Sequence, residues 1–194
     1  MERLWAGWRM TYIKGLDGPT ARCLFCGLKD RPADARSLIL EFGATMYLVL
    51  NAFPYNVGHV MVVPKRHVAG PGKLRPEESV ELMSMAARGE AALRAAYKPH
   101  GFNLGVNLGR TAGAGVLGHM HLHIVPRWNG DTNFMPVIGA TKVLPEDLLE
   151  TYAKLRATLS LLAMHGAAAA SPCRRATPQA AAPAVPGRAR PARR

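Results

Sequence analysis

His119-Met120-His121-Leu122-His123-Ile124-Val125 alternates imidazoles with apolar side chains without a break. Extended backbone turns successive side chains to opposite faces, so in a strand all three rings stand on one surface while Met120, Leu122 and Ile124 enter the core. The stretch before it, 109–118, holds Gly109, Gly113, Gly115 and Gly118. Such a loop lets backbone N–H groups turn inward and approach an anion closely. Imidazoles in register suit two chemistries. Neutral rings on one face can converge on zinc. A neutral ring is also a nucleophile at pH 7, and its neighbours can orient it and donate hydrogen bonds to phosphate oxygens. A glycine-rich loop has little purpose around zinc and direct use around phosphate, so the pattern favours phosphoryl chemistry.

Outward from this stretch, the chain reads as short strands with two helices. Leu38–Leu40 and Met46–Leu50 are rich in β-compatible apolar residues and broken by Glu41 to Ala44, which predicts a hairpin. Asn51 to Gly58 is a loop of turn formers, and His59 to Val63 is a third strand stopped by Pro64. Pro76 to Tyr97 carries Val80, Leu82, Met83, Ala86, Ala87 and Leu93 with acids in its first turn, which predicts an amphipathic helix. Phe102 to Leu108 and Gly118 to Pro126 are the fourth and fifth strands. Pro145 to Met164 is a second helix, with Pro145 at its start and Glu146 and Asp147 in its first turn. Hairpins and short loops with one inserted and one C-terminal helix indicate an α+β domain with a five-stranded antiparallel sheet, not a parallel α/β fold.

The 194 residues, 48% hydrophobic, suffice for one sizeable core. That core is expected within 1–165. The segment 166–194 is Ala, Pro and Arg with almost no large apolar side chain, which predicts a disordered tail. Its six arginines supply half of the +12 net charge. Such charge attracts nucleic acid or anionic membranes, yet a small phosphate-bearing substrate equally explains a basic body. Trp5, Trp8, Met10, Tyr12 and Ile13 are dense enough to anchor the N-terminal segment on a core or subunit interface. No run of about 18 apolar residues occurs and the N-terminus lacks an apolar leader core, so a soluble, cytoplasmic protein is expected. Three cysteines make no disulfide framework. Cys23 and Cys26, with Gly27 suiting a tight knuckle, point to metal or redox use. Cys173, His100 and His165 receive no role.

The run His119 to Val125 resembles the alternating histidine signature of the histidine-triad (HIT) superfamily. Asn51 to His67 is similar to that family's strand-loop-strand. Leu4 to Arg9 and the Cys23/Cys26 pair resemble the N-terminus of bacterial members of its diadenosine polyphosphate branch. The similarity spans residues 3–160, with the motifs in the family's order. It implies a two-step displacement in which His121 attacks the α-phosphorus of a nucleotide and carries the nucleotidyl group. His123 would contact the phosphate and the leaving-group oxygen, while Asn107 and the Gly113–Gly115 backbone hold non-bridging oxygens. Asn51 matches a contact to ribose hydroxyls and His59 a histidine lining the same site. Trp128 would pack beside the substrate or in the core.

The resemblance further implies a structural zinc site of Cys23, Cys26, His67 and His119, and a homodimer with abutting sheets. The phosphorolytic branch usually carries Ser or Gln where this chain has Gly115, which leaves the acceptor, phosphate or water, open. Two other functions compete with cleavage of a diadenosine polyphosphate. One is cleavage of a nucleoside phosphoramidate or adenylylated adduct by the same nucleophile. The other is a nucleotide- or nucleic-acid-binding zinc module without turnover, its basic tail carrying the activity.

Overall fold

The computed structural model describes residues 23–131 and 143–166. The aromatic N-terminal segment with Trp5 and Trp8, the Ala/Pro/Arg tail beyond Gly166, and Cys173 lie outside the described residues. Five strands, β1 (Ile39–Phe42), β2 (Met46–Leu50), β3 (Val60–Pro64), β4 (Gly101–Val106) and β5 (Leu122–Arg127), form one antiparallel sheet in the order β1-β2-β3-β5-β4. Among the described residues, the helices that pack with it are α1 (Leu24–Leu28), α2 (Pro76–Tyr97) and α3 (Leu148–Gly166).

Strand parity divides the sheet into two chemically different faces. Met46, Leu48, Leu50, Val60, Val62, Leu122 and Ile124 point to one side and join Leu82, Met85 and Leu93 of α2 and Leu155 and Leu159 of α3 in the main core. Tyr47, Val49, Met61 and Val63 point to the other, where Phe25 of α1 covers them in a smaller cluster. Met61 pairs with His123 across β3 and β5, which places that ring on the α1 side. Met120 likewise belongs to the main core, so the expected parity of the histidine run holds.

Several boundaries differ from the sequence reading. Pairing in β5 begins only at Leu122, so His119, at a bend, and His121 lie on the chain just before the strand. Gly118, at φ +72°, and the loop before it replace ladder partners there with side-chain and isolated backbone bonds, such as Met120 N–H to the Val68 carbonyl at 2.7 Å. α3 starts at Leu148, not Pro145, because Asp147 caps it, accepting from the Leu149 amide at 2.7 Å. The Cys23–Gly27 stretch is a helical turn, with Gly27 N–H bonded to the Cys23 carbonyl at 3.1 Å, and not a glycine-dependent knuckle.

α2 is also rotated from expectation: Val80 and Met83 are exposed, while Met85, Gly89 and Ala92 face the sheet. Acidic residues set that rotation. Glu81 accepts from the Ala44 and Thr45 amides at the β1–β2 turn, at 2.6 and 2.7 Å. Glu78 accepts a fork from Arg66 at 2.9 and 2.6 Å. At Gly89 a Cβ would come within 3.2 Å of Leu48 and Ile124, so the helix approaches the sheet closely enough that any side chain there would press its neighbours aside by a few tenths of an ångström.

Glu78 is buried, and the Arg66 fork holds its carboxyl at about 2 against an ordinary 4.5. A depressed carboxyl contributes stability above its unfolded value that drains as pH falls through the folded one. With Arg66 partly exposed, this contribution is on the order of 2 kcal/mol. Replacing Glu78 by Gln is expected to flatten the loss of stability between pH 4.5 and 2, read by urea unfolding across that range. An unchanged pH slope would contradict the assignment.

Candidate active site

Three separate elements bring four ligand-bearing side chains together at the edge of the α1 face. Cys23 and Cys26 come from α1 and its N-cap, His67 from the segment after β3, and His119 from the chain entering β5. His119 donates its Nε2 proton to the Pro64 carbonyl at 2.8 Å, which leaves the Nδ1 lone pair facing Cys23 Sγ at 3.2 Å and Cys26 Sγ at 3.5 Å. His67 Nδ1 stands 3.3 Å from Cys26 Sγ. A zinc tetrahedron with bonds of about 2.0–2.3 Å has ligand-to-ligand edges of about 3.3–3.8 Å. The three separations lie within or just below that range, and all four ligand atoms fall within 4.8 Å of one another, close enough to converge on one ion. The carbonyl behind His119 supplies the outer hydrogen bond that a metal-ligating imidazole requires. Among the described residues, this is the one group of three or more His, Cys, Asp or Glu placed to share an ion.

His121 is arranged differently. Its Nδ1 lies 3.0 Å from the His119 carbonyl and donates to it, which leaves the lone pair on Nε2. Burial holds this ring below the ordinary histidine range against the opposing pull of that carbonyl, so it is neutral at pH 7. The tautomers of its neighbours follow from backbone donors. The Tyr55 amide donates to His59 Nδ1 at 3.0 Å, so the His59 proton sits on Nε2 and is given to His123 Nδ1 at 2.9 Å. The His123 proton therefore sits on Nε2. Asn51 supports the same assignment: its Oδ1 accepts from the Phe53 amide at 2.9 Å, turning its NH2 toward His59 Nδ1 at 3.3 Å. Gly58, at φ +74°, runs so close to α2 that a Cβ would meet Leu93 at 2.7 Å, and this approach seats His59 behind His123.

Two cavities meet at these rings. The larger, about 400 Å³, is mostly apolar and is lined by Leu24, Phe25 and Leu28 of α1 together with Asn51, Gly115 and His121. The second, about 320 Å³, is richer in polar groups than the first and is lined in part by Asn103, Asn107, Arg127 and Asp131. Arg127 forks onto Asp131 at 2.6 and 2.9 Å and donates to Asn103 at 2.8 Å. Tyr55 and His123 line both cavities and form the divide between them. A site with an apolar slot on one side of paired imidazoles and, on the other, a slot with more polar groups can hold a flat ring while a phosphate lies over the nucleophile.

The profile of the HIT domain matches residues 34–130. The chain belongs to the HIT family. Over 159 residues this HIT protein is 38% identical to an AP-4-A phosphorylase of Mycobacterium tuberculosis, covering 78% of the chain and 80% of the relative. A zinc-bound histidine triad family protein from Mycobacterium smegmatis superposes with a TM-score of 0.58 at 28% identity, over 73% of this chain and 96% of that one. A histidine triad nucleotide-binding protein from Sulfolobus tokodaii, at 24% identity and TM-score 0.60 over 74% and 95% of the two chains, shares the fold.

Of the residues singled out in the sequence, Asn51, Gly115, His121 and His123 line the apolar cavity, with His59 buried behind them. Asn107 lies on the polar side next to His123. The Gly113 amide closes a turn onto the Arg110 carbonyl at 2.9 Å, with Gly113 at φ +85°. Trp128 follows β5, half-buried, and lines neither cavity. Sequence reasoning missed the cavity role of Phe25, Leu24 and Leu28. Their signal was present, since positions 24, 25 and 28 share one face of the helical turn that holds the two cysteines. It also missed Tyr55, which stacks on His123 with centroids 5.6 Å apart, and His100, whose Nδ1 accepts from the Asn129 amide at 2.8 Å.

Metal analysis of the purified protein is expected to find about one ion per chain, and His67→Ala or Cys26→Ser to lose most of it. Equal metal content in wild type and both variants would remove the cluster as a metal site.

Proposed function

We propose that this HIT protein cleaves nucleotide phosphoanhydrides of the diadenosine polyphosphate kind at the α-phosphate, through a nucleotidyl intermediate on His121. One observation carries this: the His121 Nδ1–H bond to the His119 carbonyl, which leaves Nε2 as the nucleophilic nitrogen of a neutral ring lining the cavity. The 38% identity to an AP-4-A phosphorylase supports the substrate class.

In the first step Nε2 attacks the α-phosphorus and the bond to the bridging oxygen breaks. The ring keeps its Nδ1 proton and becomes a cationic nucleotidyl-imidazole, and the carbonyl accepting that proton stabilises the charge as it develops. A polyphosphate leaves as an anion and needs no proton, so a hydrogen bond from His123 Nε2–H to the departing oxygen suffices. His59, through His123 Nδ1, keeps that proton on the correct nitrogen. Asn107 and, from the Gly113–Gly115 stretch, the Gly115 backbone that lines the cavity are assigned to the non-bridging oxygens and Asn51 to the ribose, the Gly113 and Ala114 amides being bonded to the Arg110 and Gly109 carbonyls. The base lies in the apolar cavity and the leaving portion toward the polar one, with Trp128 beside the site. In the second step water or inorganic phosphate attacks phosphorus, the N–P bond breaks and the neutral ring returns. The product is a nucleoside monophosphate with water and a diphosphate with phosphate.

Cys23, Cys26, His67 and His119 would hold zinc as a structural ion. All four positions would be protein ligands, so the ion would present no open position to substrate. Reduced thiols of this kind suit the cytoplasm. β4 is a sheet edge with Asn103, Leu104 and Gly105 exposed, which suits pairing with a second copy of the chain as a homodimer.

Incubation with diadenosine tetraphosphate, with and without inorganic phosphate and with products identified by mass, tests the proposal. Turnover is expected for wild type, with ADP appearing only if phosphate is the acceptor and AMP if water is. His121→Ala is expected to lower kcat by at least about 10⁴-fold while AMP affinity changes by less than about tenfold. Turnover that survives His121→Ala would exclude the covalent route.

A further inference from the structure

α1 is five residues long, too short to persist on its own hydrogen bonds. Its position is therefore set by what it touches. Cys23 stands at its N-cap and Cys26 lies within it, so a single helical turn supplies both thiols of the metal cluster. The same turn presents Leu24, Phe25 and Leu28 to the apolar cavity. Phe25 lies between the two sites. Its ring is 5.5 Å from the His119 ring on the metal side and 4.9 Å from the His121 ring on the cavity side, and it is only 3% exposed. Its carbonyl accepts from the buried Tyr47 hydroxyl at 3.0 Å, which anchors one point of the turn independently of any ion. Leu24, at 45% exposed, is held by the turn to which it belongs.

We infer that occupancy of the Cys23/Cys26/His67/His119 site by zinc and occupancy of the apolar cavity by a nucleoside monophosphate are thermodynamically linked through α1, with Phe25 as the positioning residue that joins them. This rests on the cavity being the seat of the nucleotide's base. With zinc bound, both thiols clamp the turn and its apolar face forms a ready wall. Without zinc, the four ligands separate, and the nucleotide must order the wall as it binds. Linkage is reciprocal, so a nucleotide bound in the cavity tightens zinc by the same factor by which zinc tightens the nucleotide. The ion thus acts on ground-state binding, distant from the bonds that change.

The test uses the full chain and two equilibrium measurements. AMP affinity is measured by calorimetry on zinc-loaded protein and on protein stripped by a chelator, with circular dichroism monitoring the fold. Zinc affinity is measured by competition with a chromogenic chelator, with and without saturating AMP. Both are expected to show a linkage on the order of tenfold. Phe25→Leu keeps an apolar wall but loses the ring contacts, and is expected to retain zinc while the linkage falls below about twofold. Zinc affinity unaffected by saturating AMP overturns the inference, as does a Phe25→Leu variant with undiminished linkage. If stripped protein loses its fold, the competition on loaded protein still decides the matter. Failure of loaded wild type to bind AMP at all overturns the assignment of the cavity, and this inference with it.

Discussion

The hydrogen bond from the His121 ring to the His119 carbonyl is the constraint on which the rest of the site depends. A backbone acceptor two residues away decides which nitrogen of the ring carries a proton, and that carbonyl is itself held in place. The His119 side chain is tied to Pro64 and turned toward the two thiols, and the next amide, that of Met120, bonds Val68. The last residue of β3, the segment after it and the α1 turn thus converge to orient one peptide group. The chemistry assigned to His121 needs no unusual residue, only a peptide that does not move.

A second ordering device runs in parallel behind it. From the Tyr55 amide through His59 to His123, each donor fixes the next acceptor, so two more rings acquire defined tautomers without a charged group in the chain. Among the described carboxylates, Glu78 and Glu81 fasten α2 to the opposite side of the sheet. Asp131 lines the second cavity, where the Arg127 fork matches its charge. A carboxylate already paired with a guanidinium repels a polyanionic ligand less than an unpaired one would.

Much of this was legible in the sequence because strand parity is an exact period of two. The alternation over 119–125 assigned the rings to one face and Met120, Leu122 and Ile124 to the core without any knowledge of neighbours. The pairing of Cys23 and Cys26 with His67 and His119 came instead from resemblance, since spacing alone cannot bring together residues 96 positions apart. What sequence could not convey was tertiary competition. α2 carries two apolar stripes, and the one with Val80 and Met83 lost because buried acids and the close approach at Gly89 set the rotation. Pro145 looked like a helix start, yet the Asp147 side chain captured that role. Trp128 has a suggestive position after β5 yet lines neither cavity, which its place in the chain could not reveal.

The parity of the histidine run has a genetic corollary. Its odd positions carry the rings and its even positions the main core, so deleting or inserting one codon between His119 and Leu122 would exchange the two sets. Imidazoles would then be driven among Leu48, Leu82 and Leu93, and aliphatic side chains would be presented to thiols and phosphate. Such a lesion would surface as insoluble polypeptide, not as a folded and silent enzyme. The glycine-bearing stretch before it is built differently, since Gly109 and Gly118 take backbone turns that a frame of alternating residues cannot.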